Sequence, residues 1–176
     1  MILIDDLKYK SQCFYQNEDG KSILRVLFTD GTSAMIFYRL MQFFRRMHLS
    51  IIGWIFQCLN KWINGCVIGL QVDFGKGFVI MHPVGVVING AVKGGENIVI
   101  ESGVVIGAAH HGLPVQVPRL KSHIKIGSGA KLLGSIVIGS HVKIGANAVV
   151  LHDIPDGATA VGVPARVIKT NDKTEK

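Results

Sequence analysis

Aromatic side chains are scarce in this chain, at 7 % of its residues, while Gly occupies 21 positions and hydrophobic residues make up 48 %. A core wedged together by rings is therefore excluded, and small aliphatic side chains packed in regular layers are expected instead. Cysteine is sparse as well: Cys13, Cys58 and Cys66 form no CxxC pair and are odd in number. That argues against a disulfide framework and for a reducing compartment, with the cytosol as the default. Long hydrophobic runs are missing too. The longest uncharged stretch, Met47 to Asn60, is short of the ~20 residues a membrane-spanning helix needs, and the opening "MILIDDLKYK" has acids where a signal peptide has positive charge. Lys and Arg outnumber Asp and Glu by 19 to 12, yet the excess is shared by both halves and never forms a basic run. Nucleic acid is therefore a poor partner for this surface, and an anionic small molecule a better one.

The chain changes character near Gly65. At 176 residues it is long enough for one core and a short appendage. Residues 1–65 read as a helical region, 66–169 as a repetitive β domain and 170–176 as a tail. Thr32 or Ser33 is expected to cap a helix with Arg39, Gln42 and Arg46 on one stripe and Phe37, Leu40, Met41 and Phe44 on the other. Ser50 is expected to cap a second helix running to about Ile63, which buries Trp54, Ile55, Leu59 and Trp62 and exposes Gln57 and Lys61. Packing on its own domain or on another subunit is the plain expectation for this pair. The basic amphipathic stretch "FYRLMQFFRRMHL" also permits peripheral contact with the inner face of a membrane.

Beyond Gly65 an aliphatic or aromatic residue recurs every sixth position. Ile68, Phe74, Ile80, Val86, Val92, Ile98 and Val104 form one series; Leu120, Ile126, Leu132, Ile138, Ile144 and Val150 form another in a new phase. A six-residue unit makes one short strand and one turn, cannot bury its own face, and must stack on its neighbours. Three units close a triangular coil, and successive coils pair as parallel strands ~4.8 Å apart. The phase break between Val104 and Leu120 requires an external loop, 108–119, carrying His110 and His111. Loops of this kind in compact repeats are usually functional.

His82, in "FVIMHPVGVVING", follows the inward Ile80 by two residues at a corner stiffened by Pro83, so its imidazole is expected to project outward. Imidazole titrates near neutrality and suits general-base work. His123 and His141 share a phase one coil apart, which predicts stacked rings. Two histidines seldom close a metal site, so no metal is expected.

The phrases "MHPVGVVI", "IESGVVIG", "GSGAKLLGSIVIG", "KIGANAVVLHDIP" and "GVPARVI", with "AMIFYRL" upstream, resemble the hexapeptide-repeat acetyltransferases, most of all the serine acetyltransferase branch and its sugar-modifying relatives. The resemblance implies a mainly β fold, a left-handed parallel β-helix with a short N-terminal α-helical region. It also implies a homotrimer and transfer of acetyl from acetyl-CoA to an acceptor hydroxyl, with His82 as the general base. Gly107 and Ala108 would leave backbone N–H groups open to the developing oxyanion, and Gly127, Ser128, Gly145 and Ala146 would line the pantetheine groove. Met81, His110, His111 and Gln116 would face the acceptor.

Against that branch's pattern, Val67 stands where an Asp would orient the base, Met81 where an acid would precede it, and Gln116 and Val117 where an Arg-His pair would grip a carboxylate. A backbone carbonyl is the orienter left for His82. Without those charges a zwitterion is a poor acceptor, because each unpaired buried charge costs several kcal/mol. A sugar hydroxyl in polysaccharide biosynthesis, free or carried on a glycan, is the expected acceptor. Serine acetylation in cysteine biosynthesis and a non-catalytic trimeric scaffold are the alternatives.

Overall fold

The computed structural model describes residues 2–109 and 115–170. Four helices come first: α1 (Ile2–Tyr15), α2 (Gly20–Val26), α3 (Thr32–Arg46) and α4 (Ser50–Asn64). Short strands then follow in rapid succession: β1 (Val67–Ile68), β2 (Asp73–Phe74), β3 (Val79–Ile80), β4 (Val87–Ile88), β5 (Lys93–Gly94), β6 (Ile98–Ile100), β7 (Val105–Gly107) and β8 (Arg119–Leu120). The series continues through β9 (Ile124–Ile126), β10 (Lys131–Leu133), β11 (Val137–Ile138), β12 (Lys143–Ile144), β13 (Val149–Val150), β14 (Ala158–Val161) and β15 (Arg166–Thr170).

Through β13 each strand stacks on the one three places earlier, and β14 stacks on β12, which gives three sheets around a prism. Sheet I runs β1-β4-β7-β10-β13, sheet II runs β2-β5-β8-β11, and sheet III runs β3-β6-β9-β12-β14, with β15 folded back antiparallel on β14. Aliphatic side chains fill the interior in pairs two residues apart, such as Ile98 with Ile100 and Ile136 with Ile138, all buried. Phe74 pairs with Gly94 in the next coil, and its ring occupies the space that a Gly94 side chain would need.

The strand registers correct the count of sixes. A regular coil pairs residues eighteen apart, as Lys131 with Val149 and Lys125 with Lys143. Val67, however, pairs with Val87, two residues further, so the chain slips phase at the corner holding Met81 and His82. The slip is invisible in the pattern because each unit has two inward positions, and Val86, Val92 and Val104 are the first of the pair where Ile68, Phe74 and Ile80 are the second, all of them buried. The later break is real, since Val105 pairs with Lys131 across the external loop.

On α3 two members of the polar stripe turn inward: Arg39 and Gln42 are buried, while Arg46 and Phe43 are exposed. Gly31, in the left-handed region at φ 78°, precedes α3, in place of a Thr32 or Ser33 cap. On α4, Lys61 is exposed as expected, but so are Trp54, Ile55 and Trp62, while Gly53, Asn60 and Asn64 face α3. Gly53 permits the close approach, since a Cβ there would stand 3.2 Å from the Met41 carbonyl oxygen, and Asn60 Nδ2 donates to the Ala34 carbonyl at 3.1 Å. Among the described residues no helix is long and apolar enough to cross a membrane.

Helices α1 and α2 were not anticipated beyond a general helical reading, because the inner face of α1 is polar: Asp6, Lys10 and Ser11 are all buried. Arg39 explains why. Its guanidinium makes a bidentate pair with Asp6 at 2.6 and 2.9 Å and also donates to the Phe74 and Gly75 carbonyls at 2.9 and 2.6 Å. Asp6 in turn accepts from the Phe78 N–H at 3.0 Å. Burial pushes the Asp6 carboxyl upward, against the pull of Arg39. Tyr38, also on α3, is buried edge-on against Phe78 with centroids 5.1 Å apart, so the helix joins the β-helix core.

Removing one partner of such a pair strands the other charge. Arg39→Met is expected to lower stability by about 3–5 kcal/mol, and adding Asp6→Leu to recover a large part of the loss. Thermal unfolding of the single and double variants checks both.

Candidate active site

His82 sits where sheet III hands the chain to sheet I, between β3 and β4. The two extra residues of this coil fall at that corner, so the turn stands out from the prism; Pro83 is buried beneath it and His82 is exposed. Its Nδ1 lies 2.8 Å from Oδ2 of Asp30, in the connection between α2 and α3. The orienting group is thus a carboxylate from the helical region, which corrects the expectation of a backbone carbonyl. The other oxygen of Asp30 accepts from the Gly31 N–H at 2.9 Å. With Nδ1–H donating to Asp30, the ring presents the Nε2 lone pair outward, the arrangement a general base requires.

Gly31 holds this loop against the corner. A Cβ there would run into the carbonyl oxygens of Ile80 and Met81, and its φ of 78° favours Gly. Asp30 was missed in the sequence because no periodic pattern leads to it. The Asp-Gly pair just before the α3 start was the local signal of a tight turn.

The same edge of the prism carries four of the expected cofactor residues. Gly127 and Ser128 follow β9, and Gly145 and Ala146 follow β12, both at the passage from sheet III to sheet I. Backbone hydrogen bonds stack these corners on one another: Gly103 N–H to Val84, Gly129 N–H to Ser102, and Asn147 N–H to Ser128. Ser128 therefore lies two rungs above the His82 corner and Ala146 three, roughly 10 and 14 Å along the edge. The column has no bulky side chain at these positions, which leaves room for a long, thin ligand running toward His82.

Gly107 and Ala108 do not join them. They lie at the passage from sheet I to sheet II, so the full width of sheet I separates them from His82 within one chain. Gln116 is there as well, exposed in a cleft of about 570 Å³ with Val117, Lys93, Arg119 and Ser135. Met81 is half-buried beside His82. His110 and His111 lie outside the described residues, as does the tail beyond Thr170.

Other reactive groups are accounted for structurally. Burial pushes the Cys66 thiol up to about 12, which removes it as a nucleophile. His123 and His141 stack on the third edge with ring centroids 4.5 Å apart and planes 3° from parallel, as their shared phase predicted. Both occupy the left-handed region, at φ 60° and 59°, and Asn97 continues the ladder at 3.4 Å from His123 Nδ1. Among the described residues no three His, Cys, Asp or Glu side chains gather as a metal site.

No family model matches the chain. Curated relatives do: a serine acetyltransferase of Bacillus pumilus is 34 % identical over 161 residues, covering 91 % of this chain and 74 % of that protein. One of Helicobacter pylori is 36 % identical over 148 residues, covering 84 % and 86 %. Among solved structures, the serine acetyltransferase of Neisseria gonorrhoeae superposes with a TM-score of 0.87 at 28 % identity, covering 98 % of this chain and 67 % of that one. The chain thus spans about two thirds of that solved protein. The prism is accordingly a left-handed parallel β-helix with an N-terminal helical region. With relatives matched across nearly its whole length, the chain belongs to the serine acetyltransferase family.

Proposed function

We propose that the chain transfers acetyl from acetyl-CoA to the side-chain hydroxyl of serine. It is an acetyl-CoA-dependent O-acyltransferase by family; the acceptor is our own reading. The observation that carries the chemistry is the 2.8 Å contact between His82 Nδ1 and Asp30. His82 Nε2 takes the hydroxyl proton as the oxygen bonds to the thioester carbonyl carbon. The carbon–sulfur bond then breaks, and the imidazolium returns the proton to the departing thiolate. A base in place at the moment of attack avoids a free alkoxide.

The acceptor side rests on the cleft around Gln116. Gln116 and Val117 carry no charge to pair with a carboxylate, but Lys93 and Arg119 in the same cleft do, and Arg119 in particular offers the planar fork that carboxylates match. This supports serine, in line with the relatives, over our first expectation. The cleft and His82 lie on different edges of one chain, so the site is completed between chains: in a threefold assembly the His82 edge of one chain faces the loop edge of the next. Closed rotational assemblies bring such unlike surfaces together. A sugar hydroxyl remains the second reading, favoured by Met81 beside the base where an acid would pair with an amino group.

His82→Ala is expected to lower acetyl transfer by roughly 10²–10⁴-fold with trimer mass in sedimentation unchanged; activity within twofold of wild type would overturn the base assignment. Comparing kcat/KM for L-serine with that for hexoses, nucleotide sugars and short glycans under saturating acetyl-CoA decides the acceptor. Serine is expected to exceed every sugar by tenfold or more, and a reversed order makes the chain a sugar acetyltransferase. Arg119→Ala is expected to raise the KM for serine at least tenfold while leaving that for acetyl-CoA within twofold. Steady-state kinetics with each substrate varied in turn measure it.

A further inference from the structure

Lys10 is a buried cation with no carboxylate paired to it among the described residues. It lies on the inner face of α1, fully covered, and its Nζ makes three hydrogen bonds: to the Asp30 carbonyl at 2.5 Å, to Thr32 Oγ1 at 2.9 Å and to the Ile80 carbonyl at 3.2 Å. An ammonium has three donors, and all three are used. The acceptors are not scattered. Asp30 carries the carboxylate on His82, Thr32 begins α3 immediately after the loop, and Ile80 is the last residue of β3, two before His82 itself.

We infer that Lys10 is a positioning residue for His82: by binding the main chain at Asp30 and at Ile80 together, it sets the separation at which the Asp30 carboxylate meets the imidazole. This rests on the reading of His82 as the base. Two chain segments far apart in sequence must hold a 2.8 Å contact although both side chains, Asp30 and His82, are more than half exposed. Exposed pairs of this kind are weak by themselves, because solvent screens them and each side chain loses freedom in forming them. A pair that weak needs its backbones fixed. Gly31 brings the loop into contact with the carbonyls of Ile80 and Met81 from one side, and Lys10 ties it from the other.

The cost of placing an ammonium there supports a role. Burial lowers the Lys10 ammonium to about 8, with Asp30 opposing the shift, so it is predominantly charged at neutral pH. Methionine would fill the same volume without that penalty, and a purely structural plug would not need the charge. None of the three Lys10 hydrogen bonds goes to His82 itself, so its action on the ring runs through Asp30.

The test uses the full chain and three variants: Lys10→Met, Asp30→Asn and the double variant. If Lys10 acts through Asp30, Lys10→Met lowers kcat about tenfold or more with the KM for acetyl-CoA within twofold. The double variant is then no slower than Asp30→Asn alone. If Lys10 only stabilises the fold, the melting temperature drops, kcat of the folded enzyme is unchanged, and the inference fails. A readout independent of turnover comes from nitrogen-15 NMR of labelled histidine, with the His82 signal assigned by its loss in His82→Ala. Lys10→Met is expected to move the His82 Nδ1 and Nε2 shifts in the same direction as Asp30→Asn. Unmoved shifts overturn the inference even where activity falls.

Gly31→Ala, which displaces the same loop from its other side, is the second variant should Lys10→Met unfold; it is expected to give the same His82 shift. An active His82→Ala enzyme would refute the base reading, while the NMR comparison would still decide whether Lys10 governs the His82–Asp30 contact.

Discussion

Arg39 delivers one guanidinium to Asp6, to the Gln42 side chain and to the carbonyls of Phe74 and Gly75. Two of these acceptors belong to the main chain of the first coil, and Asp6 is itself bonded to the Phe78 N–H. Neither α1 nor α3 can slide along the β-helix without leaving a buried charge or carbonyl unpaired, and burying an unpaired charge is among the costliest changes a fold can make. The helical region is therefore held in one orientation on the prism. That orientation carries Asp30 to His82, since Asp30 lies just before α3, whose position the seam has already set.

The β-helix contributes a different kind of order. Its coils stack aliphatic pairs at a fixed spacing, so any residue type repeated at a corner becomes a straight column along the edge. Gly127, Ser128, Gly145 and Ala146 are small where a ligand could lie, and they share the edge with His82 because the corners hydrogen-bond to one another. The external loop leaves from a different edge. One chain thus holds His82 and the small-residue edge on one side of sheet I and the cationic cleft on the other.

The periodicity made the prism legible, including the stacked rings of His123 and His141, because a repeat with two inward positions per six residues has few other ways to bury them. Its phase was less legible for the same reason: Val86 could stand in for Ile88, and the two-residue slip at the His82 corner passed unseen. The helical faces were misread because burial there is polar. Arg39 and Gln42 read as a polar stripe until their partners, supplied by distant segments, are known.

The sequence by itself determined the coil, the corner on which His82 stands and the small residues on the edge above it, since all of these follow from local spacing and turn chemistry. Only the tertiary structure decided what orients the imidazole. Asp30 and His82 are 52 positions apart, and no periodic pattern connects them. Their meeting depends on a seam of buried hydrogen bonds whose members attract one another only once the aliphatic core has excluded water around them.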